Sequence, residues 1–376
     1  ALPPSRMAIE PSDVVTFTAD GGAQRYRITG ITEGGHKALD ALSVEPSVFE
    51  EVKAPQRPPV VPGPDIYGPA TAAFLDLPLI TGAEDPYAGY VAAFASPWPG
   101  GIAFWRSADG LTYRLGAVAA SRATMGVTAT PFRPGPRDRT DHANTLDVVL
   151  ANGALVSVDA LRVLGGANLM AVENADGQWE LIQFRDAQLI APSTYRLSVL
   201  LRGQAGTADA MRDPVVAGAH VVLIDGAVVP ALLTPNEARL TLGWRYGPKT
   251  SAYTDAAYLG ATHTYQALGL RPLSPAHVRG IRSSGDLTIN WIRRTRIAGD
   301  AWEQVEVPLG EEREAYAVDI MDGTTVKRTI ETVVPTASYT AAEQTLDFGA
   351  PQPTITVRVH QLSATYGRGA AAVATI

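Results

Sequence analysis

Apolar and polar residues alternate with a period of two through much of this chain, and no segment keeps a helical period over four turns. Such alternation places successive side chains on opposite faces of an extended strand. The clearest sets that share one strand face are Leu287, Ile289 and Trp291; Tyr316, Val318 and Ile320; and Ile355, Val357 and Val359. These sets predict strands that enclose a common core, with Trp291 inside it.

Two-residue turn signals separate many of the candidate strands. They are Asp20-Gly21, Asp109-Gly110, Asn152-Gly153, Asp176-Gly177, Asp225-Gly226 and Asp322-Gly323. Such pairs tolerate the positive φ that tight antiparallel hairpins require, so hairpins are predicted around Asn152, Asp176 and Asp225. Together with 35 glycines and 28 prolines, these signals predict an all-β chain. Its helix content should lie below about one-tenth, against a globular norm of roughly one-third.

The strand pattern changes along the chain and predicts several domains. Residues 1–53 contain one hairpin, at 13–32, which is too little to bury a sheet face, so we expect upstream residues or a neighbouring chain to complete the sheet. Residues 54–70 hold six prolines and are typical of a semi-rigid linker. Residues 71–270 have ten or more short candidate strands, which predicts one large β-sandwich or barrel-like domain, or two small ones. Residues 271–376 predict a second, smaller sandwich.

Composition narrows the possible partners. The chain has 376 residues, a net charge of −7 and no cysteine. The mild acidity argues against a direct nucleic-acid site, because nucleic acids reward clustered Lys and Arg. No apolar run reaches about 18 residues, so no membrane span is predicted. The missing cysteines exclude disulfides, thiolate metal sites and cysteine nucleophiles.

Few residues have a spacing that indicates catalysis or metal binding. The best cluster is Asp138, Asp141 and His142, which could bind a hard cation but is also typical of a polar loop closed by Asx turns. None of the six histidines has the partner spacing of a helical metal site. We therefore predict no metal ion and no cofactor.

The remaining catalytic patterns are also weak. Glu311, Glu312 and Glu314 are close in sequence, but their run is typical of a solvated loop, and an acid/base pair also needs a pocket that shifts its pKa values. No G-x-S-x-G elbow occurs. The segment Leu201–Thr207, LRGQAGT, lacks the lysine of a phosphate-binding loop and predicts a tight turn. We predict no catalytic residue and no enzymatic activity in this chain.

Aromatic residues are the better candidates for binding. Trp98, Trp105, Trp244 and Tyr246 are candidate surface residues that could stack on sugar rings or anchor a protein contact. The alternative is that they pack in the core. Because Phe104 and Trp105 are neighbours on a predicted strand, they should point to opposite faces, which leaves one of them exposed.

The last domain resembles a fibronectin type III module. The resemblance rests on HVRGIRSSGDLTINWIRRTRIAGDAW, EAYAVDIMDG and ITVRVHQLSATYGRGAAAVATI. Trp291 matches the tryptophan of the module's second strand, and Val357 to Gly369 match its penultimate strand and final turn. One departure is that Ile355 stands where the family usually has a tyrosine, so the resemblance implies a sandwich without the tyrosine corner.

The whole chain resembles the C-terminal part of the large tail-tip protein of gene transfer agents and siphophages, called the baseplate megatron or host-specificity tail protein. The matching segments are RYRITGITEGGHKALDALSVEPSVFE, FLDLPLITGAEDP, FRDAQLIAPSTYRLSVLLRGQAGT, RPLSPAHVRG, INWIRRTRIAGDAW and VPLGEEREAYAVDI. The resemblance implies a homotrimer in the tail of a virion or gene transfer agent particle, with residues 1–53 as the end of a tail-hub-like β domain that upstream residues complete. Its implied partners are other tail hub and baseplate proteins and a host cell-surface receptor or polysaccharide. The family carries a glycosidase-like TIM barrel upstream, but this chain has no βα repeat to which that activity could be transferred.

Two functions remain open. The first is a structural component of a tail tip or baseplate that contacts the host cell envelope during attachment and DNA delivery. The second is an accessory sugar-binding and spacer region of an extracellular carbohydrate-active enzyme, since fibronectin-like modules also occur there and fold alone does not decide function. A symmetric trimer on a tail tube favours the first, and a monomer with exposed coplanar aromatic rings favours the second.

Overall fold

The computed structural model describes residues 1–3, 5–6, 8–49, 67–299 and 307–376. The chain divides into two compact units, Ala1–Asp65 and Ile66–Ile376. About 8% of the chain is helical and 45% is strand, which confirms the prediction of an all-β chain with little helix. Most of the predicted proline-rich linker, residues 54–66, lies outside the described residues.

The first unit is an antiparallel meander of three strands, followed by a short 3-10 helix. The elements are β1 (Val14–Ala19), β2 (Gly22–Glu33), β3 (Lys37–Ser43) and the helix Pro46–Phe49. Asp20 and Gly21 both have positive φ, at 50° and 83°, and they turn β1 into β2 as the dipeptide predicts. Among the described residues of this unit, Ile28 is the only buried apolar side chain, and Phe17 is 62% exposed. One face of this sheet therefore lacks a covering layer.

The second unit contains the other strands and both α-helices. The strands are β4 (Thr71–Leu75), β5 (Tyr90–Phe94), β6 (Ile102–Ser107), β7 (Arg114–Ala119), β8 (Met125–Thr128), β9 (Thr140–Asp141), β10 (Leu146–Asn152), β11 (Leu169–Glu173), β12 (Trp179–Ala191), β13 (Thr194–Leu201), β14 (His220–Leu223), β15 (Val229–Pro230), β16 (Leu242–Pro248), β17 (Leu259–His263), β18 (Ala276–Ser283), β19 (Asp286–Ile292), β20 (Tyr316–Asp322), β21 (Thr325–Thr332), β22 (Thr336–Tyr339), β23 (Thr356–Ser363) and β24 (Gly367–Thr375). The helices are α1 (Ala160–Leu164) and α2 (Ala341–Phe348), with 3-10 helices at Gln204–Ala210, Pro235–Glu237 and Leu268–Leu270.

A two-sheet sandwich begins the second unit. One sheet has the strand order β15-β5-β4 and the other β17-β16-β6-β7. Their facing sides bury a core that includes Phe104, Trp244 and Tyr265. Strands β15 to β17 come more than a hundred residues after β4 to β7 begin, so the sandwich is completed by two separate stretches of chain.

A six-stranded barrel is inserted between β7 and β15. Its order is β10-β8-β14-β11-β12-β13, and pairing of β10 with β13 closes it, while β9 is added to β13. The interior is apolar and includes Val148, Met170, Ile182, Phe184 and Leu197. Both architectures expected for the central body, sandwich and barrel, are therefore present.

Strand β5 is shared by the two bodies and is buried on both faces. Tyr90 and Ala92 pack against barrel strands, whereas Val91 and Ala93 face the sandwich core. A strand covered on both sides is expected to be a continuous apolar run. The small alanines allow the two layers to approach each other closely.

Close packing also explains why a glycine stands at position 89, just before β5. A Cβ at this position would lie 2.1 Å from the ring of Tyr265, which is well inside van der Waals contact. The Tyr265 hydroxyl donates a 2.8 Å hydrogen bond to the carbonyl oxygen of Tyr90. Gly89 thus lets Tyr265 tie the end of the sandwich to the shared strand.

The last part of the chain is a seven-stranded sandwich with a fibronectin type III-like arrangement. Its sheets have the orders β18-β19-β22 and β21-β20-β23-β24. Trp291 is 4% exposed and lies edge-on to Tyr316, with ring centroids 5.1 Å apart, so its predicted core position is confirmed. The three predicted one-face sets all enter this core. Ile355, at the position of the family's usual tyrosine, is also buried there.

Of the three hairpins predicted around Asn152, Asp176 and Asp225, one is confirmed and two are wrong. The turn at Asp176-Gly177 joins β11 to β12 as predicted. After Asn152 the chain does not return as a strand, because Leu155 packs into the barrel core before α1 begins. After Asp225 the next strand, β15, pairs with β5 of the sandwich rather than with β14. Long-range pairing decided the strand partner there.

Candidate functional site

The four candidate aromatic residues occupy different environments in the sandwich. Trp98 and Trp105 are partly exposed. Trp244 is 1% exposed and lies in the core, so its interpretation as a surface residue is wrong. Tyr246 is half-buried, and its ring stacks on Phe104 at 5.7 Å; burial raises the pKa of its hydroxyl. Binding by Trp98, Trp105 and Tyr246 stays a prediction.

Strand alternation explains this division. Trp244 on β16 and Phe104 on β6 point into the core, whereas their neighbours Arg245 and Trp105 lie directly opposite each other on the outer face. The sequence argument that Phe104 and Trp105 face opposite ways is therefore confirmed, with Phe104 as the buried member. The same alternation buries Trp244.

An aromatic cluster covers part of this outer face. It consists of Trp105, Tyr113 and Tyr253, with Arg245 beside them. The Tyr253 ring lies 5.1 Å from Trp105 and 5.5 Å from Tyr113, and the Arg245 guanidinium lies 5.9 Å from the Tyr113 ring. Arg245 has no carboxylate partner within the part of the chain that the structure describes. Tyr113 and Tyr253 come from loops, where no periodic pattern predicted them.

The proposed cation loop has a structural role at Asp141. This buried carboxylate accepts hydrogen bonds from the backbone N–H groups of Ala143 and Asn144, both at 3.1 Å, and from the Asn144 side chain at 2.7 Å. His142 is exposed. Asp138 lines a separate groove of about 650 Å³ between the barrel and the last sandwich. Among the described residues no group of three or more His, Cys, Asp or Glu could hold a metal ion.

Next to Asp141, the segment LRGQAGT organises a buried ion pair at one end of the barrel. Arg202 donates two 2.8 Å hydrogen bonds to the Glu180 carboxylate, and both side chains are 1% exposed. The guanidinium also lies 3.8 Å from the centre of the Phe132 ring. Positive φ at Gly203 and Ala205 reverses the chain after Arg202. These bonds use the loop's polar groups within the fold, as a tight turn does.

The prediction of a solvated loop is wrong at Glu311, which is buried. The Glu311 side chain is 2% exposed, and Arg296 donates to it at 3.0 Å. Arg296 also donates to the carbonyl oxygens of Gly310 and Gly269, which ties the last sandwich to the end of the first. Burial raises the pKa of Glu311. This glutamate is buried because Arg296 compensates its charge.

Glu312, one residue further, is exposed and caps a turn. Its carboxylate accepts the N–H groups of Ala364 and Thr365, at 3.0 and 3.1 Å. Hydrogen bonds from Thr365 and its neighbours hold the pKa of Glu312 at about 2. Glu314 accepts from the Tyr316 hydroxyl at 2.7 Å. The three glutamates thus have three separate structural partners and do not face one another as an acid/base pair.

A further candidate site is a pocket where the sandwich, the barrel and the last sandwich meet. It has a volume of about 420 Å³, within the range of small-molecule sites. Most of its wall is apolar and includes Pro78, Trp179, Leu268, Pro272 and Leu273. The polar residues come from the first sandwich, the barrel and the linker at Arg271, so no local sequence pattern could have predicted the site.

Asp76 and His263 are the least satisfied polar side chains in this pocket. Asp76 Oδ2 accepts the N–H of Gln266 at 2.7 Å, but Oδ1 is buried with no partner among the described residues. Burial raises the pKa of Asp76 to about 6 and lowers that of His263 to about 4. The His263 ring is held between Phe74, at 5.2 Å, and Tyr265, at 4.4 Å, while its Nε2 has no partner.

Comparison with known proteins gives one informative similarity. The sequence model of a family described as Rcc01698-like, C-terminal, matches residues 123–222, and Rcc01698 is a gene transfer agent-associated protein of Rhodobacter. The matched stretch coincides with the barrel, whose strands run from Met125 in β8 to Leu223 in β14. No curated protein matches the chain. No helix among the described residues is long and apolar enough to cross a membrane.

Among solved structures, one similar chain is the selenomethionine-substituted alpha chain of the chicken interferon gamma receptor. It is 8% identical, with a TM-score of 0.20, over 66% of this chain and 97% of that chain. Similarity at this level supports no inference about function. Among these comparisons, only the family match to the barrel points to gene transfer agents.

Proposed function

We propose that this chain is a structural part of the tail tip of a gene transfer agent or phage-like particle, where it contacts the host cell envelope. The observation that carries the proposal is the match between the barrel and the Rcc01698-like family. The ordered resemblance of segments outside the barrel to tail-tip proteins extends it to the rest of the chain. We further propose that the chain itself has no catalytic role.

The connections within the second unit support a structural role, in which the three bodies keep a fixed arrangement. Arg271 pairs with Asp209 of the barrel. Arg239 donates to the carbonyl oxygen of Tyr366 at 2.9 Å and lies 4.4 Å from its ring. With the bonds of Arg296, these contacts join the three bodies at several points. Domains joined in this way move less freely than domains on a flexible linker.

The first unit supports a role in an assembly. Among its described residues, this three-stranded sheet buries one apolar side chain, and its outer edges carry a single bridge, from Leu2 to Lys37. Such a sheet is a poor independent fold. Strands from a neighbouring subunit or from another tail protein would cover its open face. This expectation is consistent with a homotrimer, in which three copies of such a sheet form part of a ring.

Electron cryo-microscopy of purified particles, with mass spectrometry of the same sample, tests the proposal. We expect three copies of this fold at the distal end of the tail, with the barrel recognisable in the density. A chain that is absent from particles and recovered only in the particle-free fraction would contradict a tail-tip function. A strain that lacks the gene provides the control for density assignment.

The second candidate function is a sugar-binding spacer of an extracellular carbohydrate-active enzyme. The aromatic cluster at Trp105 favours it, because exposed rings stack on sugar faces. A monomeric chain that binds polysaccharide, and that loses binding in Trp105→Ala but not in Val333→Ala, would support this second function. Val333→Ala is a suitable control because Val333 is 67% exposed and lies in the last sandwich, away from the candidate aromatic residues.

A further inference from the structure

The aromatic cluster lies on the face of a sheet, over two strands that are paired on both sides. Trp105 is on β6 and Arg245 is on β16, and these strands lie side by side between β7 and β17. They cannot accept an added peptide strand, because strand addition needs a free sheet edge. A molecule bound at the cluster must therefore be held by side chains, through the aromatic rings and the guanidinium.

Two loops hold the tyrosines of the cluster in position. In the loop before Tyr113, the Asp109 carboxylate accepts two backbone N–H groups, at 2.8 and 2.7 Å. The loop that carries Tyr253 is tied down by Tyr258, whose hydroxyl donates to the carbonyl oxygen of Pro248 at 3.0 Å. Rings held in this way form a preformed surface, which lowers the conformational cost of binding.

Arg245 adds a positive charge whose side chain has no carboxylate partner in the described part of the chain. Its guanidinium lies 5.9 Å from the Tyr113 ring. The acidic residues of the two loops, Asp109 and Asp255, direct their carboxylates to backbone N–H groups of their own turns. Opposite Arg245 on β17 stands Gly260, and nothing lies within 4 Å of where a side chain would begin there. A guanidinium with open space beside it favours a carboxylate, which it can bind through two parallel hydrogen bonds.

We propose that the aromatic cluster and Arg245 bind a carboxylated sugar, a hexuronic acid residue of an acidic surface polysaccharide. The rings pack against the apolar faces of the sugar, and Arg245 pairs with the sugar carboxylate. The proposal rests on the proposed contact with the host envelope and names the chemistry of the polysaccharide met there. Sugar binding by itself does not choose between the two candidate functions, which differ in oligomeric state.

Three probes test the proposal: trigalacturonate, its fully methyl-esterified form and tetraglutamate. The ester keeps the sugar rings without the charge, and the peptide keeps the carboxylates without the sugar rings. Each probe is titrated into the full chain at pH 7.5 and followed by calorimetry and amide NMR. We expect trigalacturonate to bind at least about tenfold more tightly than either of the others, with spectral changes around the aromatic cluster.

Side-chain variants separate the two contacts. Arg245→Gln should lower trigalacturonate affinity to that of the ester, whereas Arg245→Lys, which keeps the charge without the forked donors, should retain part of the difference. Trp105→Ala and Tyr253→Leu should weaken the binding of both sugars several-fold. Arg279→Gln is the matched control, because it removes an exposed charge of the last sandwich and should leave binding unchanged.

The proposal is overturned if the ester or tetraglutamate binds as tightly as trigalacturonate. It is also overturned if Arg245→Gln, with an undiminished melting temperature, binds trigalacturonate as well as the parent chain does, or if the spectral changes map away from the cluster. Absence of any binding would have the same consequence. None of these results bears on the position of the chain in the particle, which electron cryo-microscopy tests separately.

Discussion

The first unit and the barrel are built from the same local elements, antiparallel strands joined by short turns, yet they differ in what they bury. The three-stranded sheet of the first unit buries one apolar side chain, Ile28, among its described residues. The barrel closes on itself and fills its interior with apolar side chains. Strand pairing alone therefore does not make a core. A second layer or closure is needed, as is usual for sheets in water.

The two regions also treat charge differently. In the first unit, Lys37 pairs with Glu33 at 2.8 Å, and Glu33 stays 71% exposed. In the barrel, Arg202 and Glu180 are both nearly inaccessible to solvent. Exposed pairs contribute little to stability, whereas removal of one partner from a buried pair leaves an uncompensated charge. The barrel should thus be much more sensitive to single charge changes.

The largest expected effect is on independent folding. Residues 1–53 alone should remain unfolded, whereas a fragment that starts at Thr71 should fold, because only the second unit has covered sheets. Amide NMR spectra of the two fragments check this. Sharp, dispersed signals from isolated residues 1–53 would remove the contrast between the two regions.

The last sandwich is a second region with covered sheets, and it tests whether burial of a side chain sets its contribution to stability. Trp291→Ala should destabilise it by about 3–5 kcal/mol, the usual cost of truncating a large aromatic residue in a core. Chemical denaturation followed by the loss of near-UV signal measures the change. Trp98→Ala, at a partly exposed tryptophan, is the matched control and should cost clearly less; equal costs would count against the assignment of Trp291 to the core.

Substitution of Glu180, a buried charged residue of the barrel, should cause the next largest loss of stability. Glu180→Gln removes one of the two carboxylates near Arg202, the other being Asp141 at 3.5 Å, and should destabilise the barrel by about 3 kcal/mol. The exposed pair of Arg133 and Asp213, 3.5 Å apart, is the control, and Asp213→Asn should change stability little. Urea unfolding curves give both values. Similar values for the two pairs would show that burial does not set their contribution.

Asp76 is a covered carboxylate without a charge partner, and its effect should depend on pH. Its folded pKa, about 6, lies above its ordinary value of 3.8. The stability contributed by its protonation is therefore fully present below about pH 4 and lost as pH rises through 6. Asp76→Asn should accordingly stabilise the chain at pH 7.5 by on the order of 1–3 kcal/mol, with little effect at pH 4.

Protonation of His263 has the opposite effect on stability over the same pH range. Because its folded pKa is about 4, below its ordinary 6.5, its contribution is present above pH 6.5 and lost as pH falls toward 4. In Asp76→Asn this loss should become visible as falling stability on acidification. Unfolding curves between pH 4 and 8 test both trends. A pH-independent difference between Asp76→Asn and the parent would refute the first, and a stability of Asp76→Asn that does not fall between pH 6.5 and 4 would refute the second.

The smallest effect is expected at the open face of the first unit. Phe17→Ser changes a side chain that is 62% exposed and should alter the stability of the isolated chain by no more than about 0.5 kcal/mol. If the open face is covered in an assembled particle, the same change should reduce incorporation into particles. Thermal unfolding of the chain and its yield in purified particles measure the two effects separately.

Local pattern predicted much of this fold. Alternation gave the strand faces around Trp291 correctly, and Asp20-Gly21 gave a correct hairpin. Helix α2 was not predicted from the sequence, although Thr340 and Glu343 form a capping box and Gly349 ends the helix with positive φ. That signature was available in the sequence.

Other features had no local signal. Val229 pairs with Val91, and nothing near Val229 indicates a partner so far back in the chain. The pocket joins Asp76 to His263 and Trp179 through tertiary packing. To predict that Trp244 is buried and Trp105 is not, one must know which sheet face is covered. In each case the deciding interaction is long-range, and a single sequence shows only short-range patterns.

The insertion of the barrel into the sandwich has a consequence for how the chain is made. Strands β4 to β7 leave the ribosome before the barrel, but β15 and β16, which pair with β5 and β6, emerge only after it. The first half of the sandwich must therefore wait for its partner strands while about a hundred residues are added, at roughly 5–20 residues per second. The barrel closes with strands from one continuous stretch and can fold during that interval. Its folding would bring the two ends of the interrupted sandwich together and shorten the loop that remains to be closed.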